Sequence, residues 1–195
     1  MIDLPRTGIS PVFAPVSESW SVIDAWLAEF APVSLADLRP PATPEAIARA
    51  EEQLGLALPA DLRESLLCHD GDDSYLTVLP CGPLYSTDRI VEIRDMRMSI
   101  WDADDPDQQE SPWWGTLWIP FAGSDGDEHF VDAGPGTWHN HLGRASHDEA
   151  AHFTGWPSLA AWLHHIAQAM LHHDDRGWVG PAYRPMLPGD GTVDW

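Results

Sequence analysis

The chain has 195 residues, 44% of them hydrophobic, enough for one domain with a real core. Its 31 acidic residues stand against 10 basic ones, all arginine, for a formal charge of -21. Phosphate binding needs clustered cations, so nucleic acid and anionic membrane surfaces are poor partners and a basic protein is the better fit. No run approaches the roughly 18 apolar residues of a membrane span. The first residues lack the basic stretch, apolar run and small-residue cleavage site of a secretory signal. Cys68 and Cys81 are therefore expected to be reduced thiols in the cytosol. A large negative charge also suits a halophile's surface or plain solubility.

In chain order, Trp20, Ile23, Trp26, Leu27 and Phe30 recur at helical spacing and predict a first helix over Glu18 to Phe30, ended by Pro32. Thr43 is a good N-cap, Pro44 is tolerated at the first helical position, Ile47, Ala50 and Leu54 make the buried stripe, and Gly55 supplies a left-handed stop. A short helix after Leu58-Pro59 buries Leu62, Leu66 and Leu67. Asp70-Gly71 then turns the chain toward a strand over Tyr75 to Leu79. Ser86 caps a fourth helix with Ile90, Ile93, Met96 and Ile100 as its apolar positions. An exposed, mobile acidic loop is expected from Trp101 to Glu110.

Leu117 to Phe121 and His129 to Ala133 read as a hairpin around Asp125-Gly126, and Trp138 as the start of another strand. The last helix spans Ser158 to Leu171, with Leu159, Trp162, Leu163, Ile166 and Met170 on one stripe. Past Asp174 a Pro/Gly-rich tail wraps the surface. Helices first, short strands next and a closing helix predict an α+β single domain, its helices packed against a mixed, largely antiparallel sheet. The expected boundaries are an extension over 1–17, the domain over 18–173 and the tail over 174–195.

No catalytic or metal motif emerges. His164, His165, His172 and His173 have the wrong spacing for zinc, since residues eight apart on a helix stand about 80° and about 12 Å from each other; histidines near a helix C-terminus gain from its dipole. Asp125-Gly126-Asp127-Glu128 fails the calcium-loop frame. There is no Gly-x-Ser-x-Gly elbow, and Cys68 beside Leu66 and Leu67 reads as a small buried hydrophobe. Among 31 carboxylates any acid pairing is expected by chance, so none is chosen. Of the 11 tryptophans, Trp20, Trp26 and Trp162 face inward by periodicity. Trp113-Trp114 cannot place both rings on one strand face, which leaves at least one ring for another use, in the core or on a contact surface.

Two blocks carry a resemblance. The first is Thr43-Pro44-Glu45 through Glu51 and Leu54-Gly55, Leu58-Pro59-Ala60-Asp61-Leu62 and Leu66 to Gly71; the second is Trp118-Ile119-Pro120-Phe121 with Asp125-Gly126 and Val131-Asp132. With Ser86 to Ile90 and Ser158 to Leu163 in the same order, the chain from about Trp20 to Leu171 resembles the SUKH superfamily, which includes the fungal cell-wall assembly regulator and bacterial immunity proteins against polymorphic toxins. It departs at Asp70-Gly71-Asp72-Asp73, where the family often has Asn-Gly or a glycine pair; Asp tolerates turn conformations, so the turn survives with added charge.

The resemblance implies binding to other proteins, with no chemistry and no cofactor. The leading expectation is an immunity protein that occludes a basic toxin domain of nuclease type, whose phosphate-binding cations an acidic inhibitor complements. The expected binding rim is Asp70, Asp72, Asp73, Asp102, Asp104, Asp105 and Asp107, with Trp113 or Trp114 as apolar anchor. Alternatives are a cytosolic scaffold or regulator of cell-wall and envelope synthesis, and a glycan-binding module using exposed tryptophans. Partner identity and oligomeric state have no sequence signature here.

Overall fold

A computed structural model describes residues 13–73, 77–101, 112–173 and 183–195. Among them are helices α1 (Val16–Phe30), α2 (Pro32–Asp37), α3 (Pro44–Leu54), α4 (Ala60–Leu66), α5 (Thr87–Ile100) and α6 (Leu159–Leu171), and strands β1 (Trp118–Ser124), β2 (Asp127–Asp132), β3 (Leu142–Ala145) and β4 (His152–Phe153). The strands form one antiparallel sheet in the order β1-β2-β3-β4. The fold is α+β, with helices packed against a four-stranded antiparallel sheet.

The helix ends are set by side chains. Thr43 Oγ1 accepts from Ala46 N at 3.1 Å with Pro44 following, and Gly55 closes α3 at φ 63°. Ser86 Oγ accepts from Arg89 N and Ser158 Oγ from Ala161 N, each at 3.2 Å. Such caps contribute about 1 kcal/mol each. Glu51 on α3 accepts from Leu58 N at 3.0 Å and from Arg63 at 2.9 Å, joining α3 to α4. Asp61 on α4 accepts from Ala160 N at 3.0 Å, in the first turn of α6.

The sheet separates two apolar clusters. On one face Ile119, Phe121, Val131 and Leu142 meet the helical core of Trp20, Ile23, Leu27, Trp162, Leu163 and Ile166. On the other, Trp114, Phe130 and Ala145 form a small aromatic core with Trp118 and Phe153 against it. Trp118 stacks on Phe130 with centroids 3.9 Å apart. Gly143 makes this possible, because a Cβ there would stand 2.1 Å from Phe130 Cζ.

Asp125 (φ 53°) and Gly126 (φ 91°) form the two-residue β1–β2 turn, both with positive φ as the right-handed twist of the hairpin favours. Residues 183–195 pack back on the body: Val33 N donates to Gly191 O, Val193 N to Ser34 Oγ, and the Trp195 indole to Val78 O.

Several sequence expectations need correction. Pro32 does not simply end α1; it opens α2, where its missing N–H costs nothing. Residues 77–79 form no strand, although Val78 and Leu79 are buried, and 74–76 lie outside the described residues. Met96 and Ile100 are exposed, because the buried stripe of α5 runs through Ile90, Ile93 and Arg97. Trp113 and Trp114 lie on a loop, and Trp138 in a turn, stacked on Phe153 at 4.4 Å. The acidic loop over 102–110 lies outside the described residues.

Candidate functional site

The segment Asp70–Asp73 leaves α4 and crosses close under the strand-like stretch 84–86. Gly71 (φ 80°) is required there: a Cβ would stand 2.6 Å from Ser86 N and 2.8 Å from Leu84 O. Asp70 Oδ1 accepts from Thr87 N at 2.7 Å, and Asp72 Oδ2 from Leu84 N at 2.6 Å. Asp70 thus satisfies an otherwise open N–H at the start of α5, where the helix dipole also favours a negative charge.

Beyond Asp72 a groove of about 600 Å³ opens between this segment, the first turns of α5 and the β1–β2 turn. Its carboxylates are Asp72, Asp73, Asp88, Glu92 and Asp125, against Arg39 and Arg89. Both arginines have acidic neighbours, Arg39 with Asp73 at 3.7 Å and Arg89 with Glu92 at 2.7 Å. The lining is therefore net negative. Burial pushes the Asp72 carboxyl up to about 7 against the hydrogen bond from Leu84 N, and the charges of Asp37 and Asp73 add to the rise.

Tyr85 lines the groove and is nearly buried. Its hydroxyl donates to Glu128 Oε2 on β2, while Arg97 on α5 donates to Glu128 Oε1 at 2.8 Å and to Gly126 O at 2.5 Å. Burial and the Glu128 carboxylate hold the Tyr85 phenol far above its usual range. Gly123 lets these groups meet, since a Cβ there would stand 2.7 Å from Glu128 Oε2 and 2.9 Å from the Tyr85 hydroxyl. The groove is therefore anchored from below by a buried ionic network joining α5 to the hairpin.

A second hollow of about 400 Å³ shares Ser124 and Asp125 with the groove. In it Asp127 accepts from Ser146 Oγ at 2.8 Å and pairs with Arg144 at 2.7 Å and His147 at 3.1 Å, which together hold its carboxyl well below the usual range. Burial, with Arg144 nearby, pushes His129 down to about 4.

Of the expected rim, Asp72 and Asp73 line the groove, while Asp70 is spent on α5. Asp102, Asp104, Asp105 and Asp107 lie outside the described residues. Trp114 is fully buried, so its ring packs the aromatic core and is no surface anchor. Trp113 is half-buried, with the Arg97 guanidinium 5.9 Å from its ring centroid. The sequence reading missed Asp88, Glu92 and Asp125; Asp88 and Glu92 share the outer face of α5, but nothing in their spacing announces the hairpin turn opposite. Among the described residues, no group of three or more His, Cys, Asp or Glu side chains could hold a metal ion, and no helix is long and apolar enough to cross a membrane.

The family model described as SMI1 / KNR4 family (SUKH-1) matches residues 41–165, from the loop before α3 into α6. The chain belongs to this family. All five groove carboxylates fall within the matched stretch. The chain is 38% identical over 73 residues to a Schizosaccharomyces pombe protein named "Cell wall biosynthesis/cell cycle regulator smi1", covering 37% of this chain and 14% of that protein. It is 34% identical over 67 residues to a "KNR4/SMI1 homolog" of Kluyveromyces lactis, covering 34% of this chain and 12% of that protein. The SMI1/KNR4 match thus spans a small part of these two relatives' length.

Proposed function

We propose that the domain is a non-catalytic, cytosolic protein-binding module that receives a basic segment of a partner in the groove of Asp72, Asp73, Asp88, Glu92 and Asp125, and that it serves as a regulator or scaffold of cell-wall or envelope synthesis. The observation that carries this reading is the net-negative groove inside the stretch that matches the SMI1/KNR4 family. The regulatory role is supported by the printed name of the fission-yeast relative. Charge complementarity steers encounter, raising association rates by ~10 to 10³-fold and fading with salt. Trp113 is the remaining candidate for an apolar contact. The test is genetic: deletion should alter sensitivity to inhibitors of wall synthesis, with rescue by the wild-type chain and none by Asp73→Asn/Glu92→Gln/Asp125→Asn. An unchanged envelope in the deletion strain counts against the regulatory role.

A second reading, immunity to a basic toxin domain, is favoured by the net charge of -21. Co-expression with the C-terminal domain of any large secreted protein encoded beside this chain tests it. Rescue of growth with a stable complex supports immunity; toxicity without rescue removes it.

A further inference from the structure

His69 joins three parts of the fold. Its Nδ1 lies 3.1 Å from Arg39 O and its Nε2 3.1 Å and 3.2 Å from the two carboxylate oxygens of Asp24 on α1, while the Trp20 and His69 rings meet in a T-shaped contact with centroids 4.8 Å apart. A carbonyl and a carboxylate can only accept, so the site satisfies both ring nitrogens only when each carries a proton. The imidazole is mostly buried, with 15% of its side chain exposed. Burial pushes its pKa down, but the hydrogen bond and charge of Asp24, with the Arg39 carbonyl, prevail and raise it above the usual value.

The four residues that follow fasten the rest. Asp70 N donates to Pro40 O, Arg39 N to Gly71 O, Asp73 N to Asp37 O and Asp72 N to Leu84 O. Asp72 is half-buried among Asp37, Asp73 and the Cys81 thiol, with Arg39, Asp88 and Arg89 across the groove. The charged neighbour of His69 is Asp24 on α1, and the adjacent Cys68 thiol, raised by burial, feels both Glu64 on α4 and Asp24.

We infer that His69–Asp73 is a proton-operated clasp: with His69 an imidazolium donating to both Asp24 and the Arg39 carbonyl, it holds α1, the 38–40 segment and the start of α5 together, and it loosens as the imidazolium loses its proton. A second titration, at Asp72, acts in the same direction. His69 has a folded pKa above its unfolded value, so its contribution is complete below the unfolded pKa and is lost as pH rises through the folded one. Asp72 stays protonated in the fold while the unfolded carboxyl ionises, so stability declines from the ordinary carboxylate range up to about 7. Because Asp72 lines the groove, its ionisation also adds negative charge where a basic partner would sit; that consequence rests on the proposed function, whereas the clasp does not.

The test uses the full chain with ¹⁵N-labelled histidine. Both His69 ring nitrogens should show imidazolium shifts at about pH 6.5, with a titration midpoint above that, and amide exchange at residues 69–73 should speed up as the proton leaves beyond what the base-catalysed rise in intrinsic exchange explains. A neutral tautomer at that pH, or exchange that follows only the intrinsic rise, overturns the clasp. Independently, the difference in unfolding midpoint between wild type and His69→Gln should be largest near about pH 5.5 and shrink toward about pH 8.5. A constant difference contradicts it. Asp72→Asn, which stands in for the protonated carboxyl, should gain on wild type over the same rise, and no gain removes Asp72 from the clasp.

Discussion

Arg97 on α5 and Glu128 on β2 meet at 2.8 Å with 7% and 2% of their side chains exposed, an ion pair sealed between a helix and a hairpin. Glu128 is satisfied on both oxygens, by Arg97 and Tyr85, while Arg97 Nε has no hydrogen-bond partner among the described residues. Removing one charge leaves the other buried alone. Arg97→Met is expected to cost ~3–5 kcal/mol in urea unfolding, and Arg97→Met/Glu128→Leu less than that, since an apolar pair replaces both charges. A double variant that loses the sum of the two single losses, Arg97→Met and Glu128→Leu, would mean that the pair is not coupled.

Gly143 faces the ring of Phe130 so closely that any Cβ collides with it. Gly143→Ala should cost ~1–3 kcal/mol by overpacking, and Phe130→Leu should recover part of that loss in the double variant. Thermal unfolding of the four-member cycle measures the coupling.

Gly71→Ala is expected to be worse, ~2–4 kcal/mol, because the obstruction is the backbone of Leu84 to Ser86 and φ is 80°. Backbone cannot swing aside as a side-chain tip can. A near-neutral Gly71→Ala, read by urea unfolding, would contradict the close crossing of the two segments.

At the acid end, His129 and Asp127 govern the sheet. His129 stands at about 4 in the fold, below its unfolded value, so the unfolded chain takes up a proton first and stability falls as pH drops from the unfolded pKa toward about 4. Asp127, held low by Ser146 and Arg144, loses its contribution as pH falls below the ordinary carboxylate range. His129→Gln should flatten the acid limb of the stability curve above about 4. This slope opposes that of Asp72, which declines up to about 7 over the same window, so the two are separated by comparing variants, never from the wild-type curve alone.

Where local chemistry decides an element, the sequence was readable. Thr43-Pro44 and Gly55 bracket α3, Ser158 and its stripe define α6, and Asp125-Gly126 makes the hairpin turn. Where distant contacts decide, it was not. Arg97 occupies a position on α5 that periodicity gives to an apolar side chain, and only Glu128, 31 residues on, makes that burial tolerable. Asp70 looks like a surface turn acid until Thr87 arrives to be capped. The carboxylates of the groove come from three separate stretches, so they share no spacing that a linear reading could detect.

The partner-binding groove is tested most directly by affinity. With the protein that co-purifies with the tagged wild-type chain, binding of wild type and Asp73→Asn/Glu92→Gln/Asp125→Asn would be measured at low and high salt, alongside their urea midpoints. Neutralised rim charges should slow association, weaken binding by about tenfold or more at low salt and flatten its salt dependence, at stabilities within ~0.5 kcal/mol of each other. Equal affinity and equal salt dependence in two well-folded proteins would contradict the groove as the binding surface.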